Sequence, residues 1–153
     1  MSDLAFRRAT QSDLPAIVAM LADDPLGAAR EQVADPLPAS YVAAFAAIDR
    51  DANQLLLVAE QHGAIVGSLQ LFFLPGLSYQ GAWRAQVEAV RVAAPWRGKG
   101  LGRRMMEHAI TLAKARHCHL MQLSTHKSRG DAHRFYERLG FVKSHDGMKL
   151  ALE

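Results

Sequence analysis

One cysteine, Cys118, stands among 153 residues, which excludes an internal disulfide framework and fits a reducing compartment. No apolar run approaches the roughly 20 residues of a membrane span. The opening Met-Ser-Asp-Leu-Ala-Phe-Arg-Arg lacks the apolar core of a secretion signal. A cytoplasmic chain without membrane contact is therefore expected. Acids are missing from one stretch: none falls between Glu88 and Glu107, while Arg91, Arg97, Lys99, Arg103 and Arg104 all do. The net charge is only +3, so this is a local basic field suited to an anionic ligand or, alternatively, a solvated basic face. Aromatic residues do not interleave with these charges beyond Trp96, which weighs against nucleic acid. No repeat, low-complexity segment or linker divides the chain. Half of its residues are hydrophobic and 22% are charged, so one domain over residues 1–153, large enough to bury a core, is expected.

The informative stretch runs from Val87 to Gly102. Val87, Val90 and Val92 read as a strand, and Pro95, which offers no ladder N–H, ends it. Arg97-Gly98-Lys99-Gly100-Leu101-Gly102 follows, and a long helical pattern begins directly after it. Strand, glycine loop and helix N-terminus in that order place several backbone N–H groups around one point. The first helical turn adds unpaired N–H groups and the positive dipole end, giving an anion site suited to a pyrophosphate. No Gly-Lys is followed by Ser or Thr, so this is not a Walker A loop. The dinucleotide fingerprint is absent too, because after Glu107 the next acid is Asp131 and the ribose carboxylate is missing.

Periodicity supplies the other elements. Leu4–Ala9 reads as a strand. Leu14, Ile17, Val18 and Leu21 form a helical stripe, with Ser12 or a neighbour as cap. A second helix is expected from Ala39 to Arg50. Gln54–Gln61 is a central strand, and Ala64–Leu74 closes a hairpin with it. Trp83–Val92 is the next strand and Leu101–His117 the clearest helix, with Leu101, Met105, Met106, Ala109, Ile110, Leu112 and Ala113 on one side. Leu120–Thr125 is a strand. Ser128-x-x-Asp131 reads as a capping box for a last helix carrying Ala132, Phe135, Tyr136 and Leu139 on one face. Phe141–Leu152 is expected as a final strand, broken near Asp146-Gly147. The order β-α-α-β-β-β-α-β-α-β predicts an α/β (α+β) domain with a mixed sheet.

Two motifs carry a resemblance. Arg97, Gly100 and Gly102 match the Gln/Arg-x-x-Gly-x-Gly/Ala loop that binds acetyl-CoA in the GCN5-related N-acetyltransferase (GNAT) superfamily. Phe135-Tyr136-Glu137-Arg138-Leu139-Gly140-Phe141 resembles the superfamily's second signature near the C-terminus. The chain is similar to the superfamily from Val87 to Leu152. The segment from Leu123 to Tyr136, with Ser144-His145, resembles bacterial aminoalkylphosphonate N-acetyltransferases.

The resemblance implies a fold whose fourth and fifth strands are parallel and splayed apart. It also implies acetyl transfer from acetyl-CoA to a primary amine of a small molecule, by direct attack, without a metal. The amine must lose a proton before it can attack, since an alkylammonium has a pKa of about 10. Glu88, the only acid on the strand leading into the loop, is the candidate base; the alternative is a solvated strand residue. Tyr136 is implied as the acid that protonates the departing thiolate, against the alternative of an aromatic that packs beside Phe135. Coenzyme contacts are implied for Val90, Arg91, Val92, Arg97, Gly98, Lys99, Gly100, Leu101, Gly102, Arg103 and Phe135. Arg129 stands where the superfamily usually has a capping Asn, and either meets the coenzyme or is a surface residue. Leu26–Tyr41 and the Pro75–Trp83 loop are expected to shape the acceptor cleft.

His117-Cys118-His119 has no second ligand pair at finger spacing, so no metal site is read there. Two other classes stay open: a non-catalytic acyl-CoA sensor or regulatory protein on the same fold, and, more weakly, a nucleic-acid-binding module. Relatives in the superfamily are often dimers, so a homodimer is a possible partner state.

Overall fold

Alternation along the strands divides the core in two. The computed structural model describes residues 3–153. Strand β2 (Gln54–Gln61) sends Leu57 and Ala59 into one cluster and Leu56 and Val58 into another, on opposite faces of the sheet. That is why its sequence is an unbroken apolar run. It lies between β1 (Leu4–Arg8) and β3 (Ala64–Pro75), antiparallel to both. Strand β4 (Trp83–Val92) pairs antiparallel with β3, and β5 (Leu120–Gln122) adds parallel to β4. The five-stranded mixed sheet has the order β1-β2-β3-β4-β5.

One face carries helices α1 (Leu14–Ala22), α2 (Pro25–Ala28, a single turn) and α3 (Ala39–Asp49). Leu14, Ile17, Met20 and Phe45 bury there against Val58. A 3-10 turn at Gln11–Asp13 precedes α1, and its N-cap is Thr10 instead of Ser12, in a capping box with Asp13: the Thr10 N–H donates to Asp13 Oδ2 at 2.8 Å. The Asp13 carboxylate also accepts from both Arg7 Nη atoms, at 2.7 and 3.0 Å.

The other face carries α5 (Leu101–Ala115) and α6 (Gly130–Arg138). The stripe on α5 is as expected, with Leu101, Met105, Met106, Ala109 and Ala113 buried. Each larger side chain among these stabilises by about 1.5–3 kcal/mol. Gly67 on β3 lets this helix approach: a Cβ there would lie 2.5 Å from Met105 Sδ. Between β3 and β4, the turn Ser78–Gly81 (α4) holds Tyr79 and Gln80 at positive φ. Its tip is exposed, and the Tyr79 ring lies against His119 with centroids 4.9 Å apart and the planes tilted by 42°.

Two expectations fail. Helix α6 starts at Gly130 with Arg129 in the cap position, and Ser128 bonds instead to the His126 ring at 2.8 Å, so the Ser128/Asp131 capping box does not form. The final strand is absent too: residues 141–153 have no regular structure, and everything after Phe141 is exposed. A strand needs a ladder partner, and this segment pairs with no strand among the described residues. Among the described residues, no helix is long and apolar enough to cross a membrane.

Candidate functional site

The site is built where β4 parts from its neighbours. Ser68 faces Arg91 and Gln70 faces Glu88, so the one residue between them on β3 opposes two on β4, Ala89 and Val90. This is a β-bulge, and Ala89 takes its left-handed position at φ +54°. The bulge shifts the alternation by one residue. Before it, Ala85 and Val87 bury on the α5 face; after it, Val90 and Val92 pack there. Glu88 and Arg91 are both left toward the α1–α3 side.

On its other edge, β4 pairs with β5 only from Arg84 to Gln86. Val87 to Val92 run on without a strand on that side, which is the splay expected between these two strands. Bulge and splay coincide in the segment that leads into the glycine loop.

In the loop, Ala94–Trp96 forms a 3-10 turn containing Pro95. Gly98 and Gly100 then take φ +75° and +82°, and Gly100 is the residue preceding α5. A Cβ at either would meet nothing within 4 Å, so these glycines are needed for conformation, not for room. Gly102 differs: it lies within α5, and a Cβ there would make ordinary contact, 3.4 Å from the Phe135 ring and 3.7 Å from Val92. Among the described residues, no protein acceptor takes the N–H groups from Gly98 to Arg103; the first bond into the loop is from Arg104 N–H to Gly100 O at 3.2 Å. Lys99 lies over the Trp96 ring at 5.6 Å, and Arg103 pairs with Glu107 at 2.8 Å.

Tyr136 reaches the same region from α6. Its ring meets Phe135 and Phe141 edge-on, with centroids 5.1 and 5.8 Å apart. Burial pushes the phenol pKa up, against the pull of Arg91 and Arg129, so it holds its proton at neutral pH. Glu88 is exposed, and its carboxylate accepts from Gln86 Nε2 at 2.7 Å.

The sequence reading missed Asp24, which follows the C-cap of α1 and caps α2 through a 2.7 Å bond from Gly27 N–H. Arg91, expected at the coenzyme, and Arg129, expected either there or on the surface, converge on this carboxylate at 3.5 and 3.3 Å. Burial raises the Asp24 pKa, but the Gly27 N–H and the two guanidinium groups outweigh it and bring it below the ordinary carboxylate value. Burial lowers the Arg91 pKa, Asp24 opposes this, and nearby Arg129 and Arg30 add to it. Arg91 Nε and Asp24 Oδ2 are buried without a hydrogen-bond partner. Next to it, Arg97 bonds to Asp23 Oδ2 at 3.2 Å and to Val92 O at 3.1 Å. The α1–α2 connection is thereby tied across to β4, the glycine loop and α6. In sequence, Asp23-Asp24-Pro25 reads only as the end of a helix; the ties span 74 and 105 residues.

The Pro75–Trp83 turn is not part of this site. It lies at the start of β4, against His119, while Glu88 is about 17 Å further along the strand. Cys118 is half-buried at the end of α5, and burial raises its pKa, so its thiol is the inert form.

Comparison with known proteins gives a consistent picture. The model of the acetyltransferase (GNAT) family matches residues 15–141. The chain is 33% identical over 108 residues to the aminoalkylphosphonate N-acetyltransferase of Salmonella typhimurium, covering 71% of this chain and 70% of that one. The crystal structure of a Bacillus halodurans protein named as a transcriptional regulator is 51% identical, with a TM-score of 0.95, over 97% of this chain and 99% of that one. A Trypanosoma brucei acetyltransferase superposes with a TM-score of 0.79 at 27% identity, covering 98% of this chain and all of that one.

Proposed function

Because this chain belongs to the acetyltransferase (GNAT) family, we propose that it is an acetyl-CoA-dependent N-acetyltransferase that acylates a small primary amine by direct attack in a ternary complex. The observation that carries this reading is the row of unclaimed N–H groups from Gly98 to Arg103, beyond the splay between β4 and β5 and with Phe135 of α6 against Gly102. Acetyl-CoA supplies an acetyl group activated as a thioester. The loop N–H groups, with Lys99 and Arg103 around them, hold its diphosphate. Those backbone N–H groups along Val90–Val92 that face the splay, away from β3, align the pantetheine arm like an added strand and polarise the thioester carbonyl. Phe135 packs under Gly102 and sets the floor of the loop.

Glu88 removes the ammonium proton, directly or through water, and its exposure leaves it in contact with solvent for that relay. Tyr136 donates its proton to the departing sulfur. Its raised pKa keeps that proton in place until a thiolate forms.

The acceptor enters from the α1–α2 side. Arg91 and Arg129 meet the Asp24 carboxylate, Arg30 lies near Arg91, and Tyr136 lies near both Arg91 and Arg129. Three cations against one anion favour an amine that carries a negative group, and a phosphonate matches the guanidinium fork. The Salmonella relative's name points to the same substrate class. A second reading, an acyl-CoA sensor with a regulatory role, is supported by the name of the Bacillus halodurans protein. Thiol release from acetyl-CoA, measured over simple amines, amino acids and aminoalkylphosphonates, tests the proposal. Turnover with an anionic amine supports it. Coenzyme binding without thiol release from any amine favours the sensor.

A further inference from the structure

The Asp24 carboxylate fits poorly against the guanidinium groups it meets. Its Oδ1 is committed to the Gly27 N–H at 2.7 Å and takes only a long bond, 3.3 Å, from Arg129 Nη2. Its Oδ2 stands 3.5 Å from Arg91 Nη2 and accepts no hydrogen bond. Charge-assisted N–H···O bonds run to about 2.7–2.9 Å, so both contacts are slack. Arg91, for its part, spends Nη1 on the Val90 carbonyl at 2.9 Å, and its buried Nε has no acceptor. The Arg91 and Asp24 side chains are 16 and 17% exposed, so solvent meets little of this demand. Buried donors left unmet are costly, and a better acceptor would relieve them.

Charge points the same way. Among the described residues, Asp24 is the one carboxylate paired with Arg91 or Arg129. Arg30, exposed and near Arg91, pairs with no acid among them. Arg129 is 29% exposed, so the cluster is open to an entering ligand from that side. The neighbouring tie, Asp23 to Arg97, is half exposed on both partners and holds the α1–α2 connection only weakly.

Resting on the reading of the acceptor as an anionic amine, we propose that Asp24 is a latch: its carboxylate occupies the subsite of the acceptor's phosphonate, which must displace it from Arg91 and Arg129. A phosphonate brings three acceptor oxygens, as a phosphoryl group does, whereas one oxygen of Asp24 is held by the Gly27 cap. Competition makes the subsite bind anions more weakly than its guanidinium groups would alone, because each ligand must first remove the internal occupant. Displacement also frees α2 from β4 and α6, so the segment at the acceptor side loosens only for a ligand that carries the anion.

Asp24→Asn and Asp24→Ser test this. Both remove the charge and keep an N-cap residue for α2, so the fold is retained. The probe is methylphosphonate, which has no amine to acetylate, titrated calorimetrically with coenzyme A present to fill the glycine loop. Both variants should bind it about 10–100-fold more tightly than the parent, and Arg129→Gln about 10-fold or more weakly. Equal or weaker binding by both Asp24 variants, with Arg129→Gln still impaired, would overturn the latch and leave the anionic-acceptor reading standing; Asp24 would then be part of the frame of the subsite. Methylphosphonate binding by none of the four proteins would overturn both.

Discussion

Replacing Gly100 with alanine isolates the conformational basis of the loop. Gly100 sits at φ +82° and ψ 4°, in the left-handed region, and its missing Cβ faces open space. The substitution therefore adds no clash; it adds only the cost of a left-handed non-glycine residue, about 1–2 kcal/mol. If the loop keeps its shape, that cost appears as lost stability, a melting temperature lower by about 2–8 °C for a chain of this size. If the loop relaxes, its N–H groups turn away, and the cost appears as weaker coenzyme binding by about 5–30-fold. Calorimetric titration with acetyl-CoA, paired with thermal melts, reads both quantities. Gly102→Ala is the control. It is helical, its new methyl group would lie 3.4 Å from Phe135 in ordinary contact, and alanine is the better helix former. It should melt at or above the parent temperature. Unchanged melting and unchanged binding in Gly100→Ala would refute the claim that positive φ at this position aims the loop.

Three further outcomes follow from the structure. Tyr136→Phe and Glu88→Gln should each lower turnover by roughly 10²–10⁴ while acetyl-CoA affinity stays near the parent value; full activity in both, measured by thiol release, would remove their assigned roles. Asp13→Asn should cost about 1–3 kcal/mol at neutral pH, because it breaks the paired bonds to Arg7. Those bonds, against burial, hold the Asp13 pKa below its ordinary value, so its contribution is complete above about pH 4 and is lost as pH falls through the folded value. The gap between the urea midpoints of parent and variant should therefore narrow on acidification; a constant gap would count against it. Gly27→Ala would place a Cβ 1.8 Å from the Leu21 carbonyl oxygen, a backbone atom that cannot swing aside. A loss of at least about 1–3 kcal/mol is expected; an unchanged urea midpoint would contradict the packing.

The sequence by itself determined everything that depends on neighbours along the chain. The unbroken apolar run of Gln54–Gln61, the stripe from Leu101 to Ala113 and the glycines at 98, 100 and 102 each encode a local preference, and each appears in the fold at or within a residue or two of its expected place. Tertiary structure alone decided what depends on register and on partners. The bulge at Ala89 turns Glu88 and Arg91 toward one side, and no composition signal marks it, because it arises from pairing with β3. The meeting of Asp24 with Arg91 and Arg129 joins residues up to 105 positions apart. Phe141–Leu152 shows the limit most plainly: it has the alternation of a strand, but a strand exists only where another edge accepts its hydrogen bonds, and none of the described strands does so.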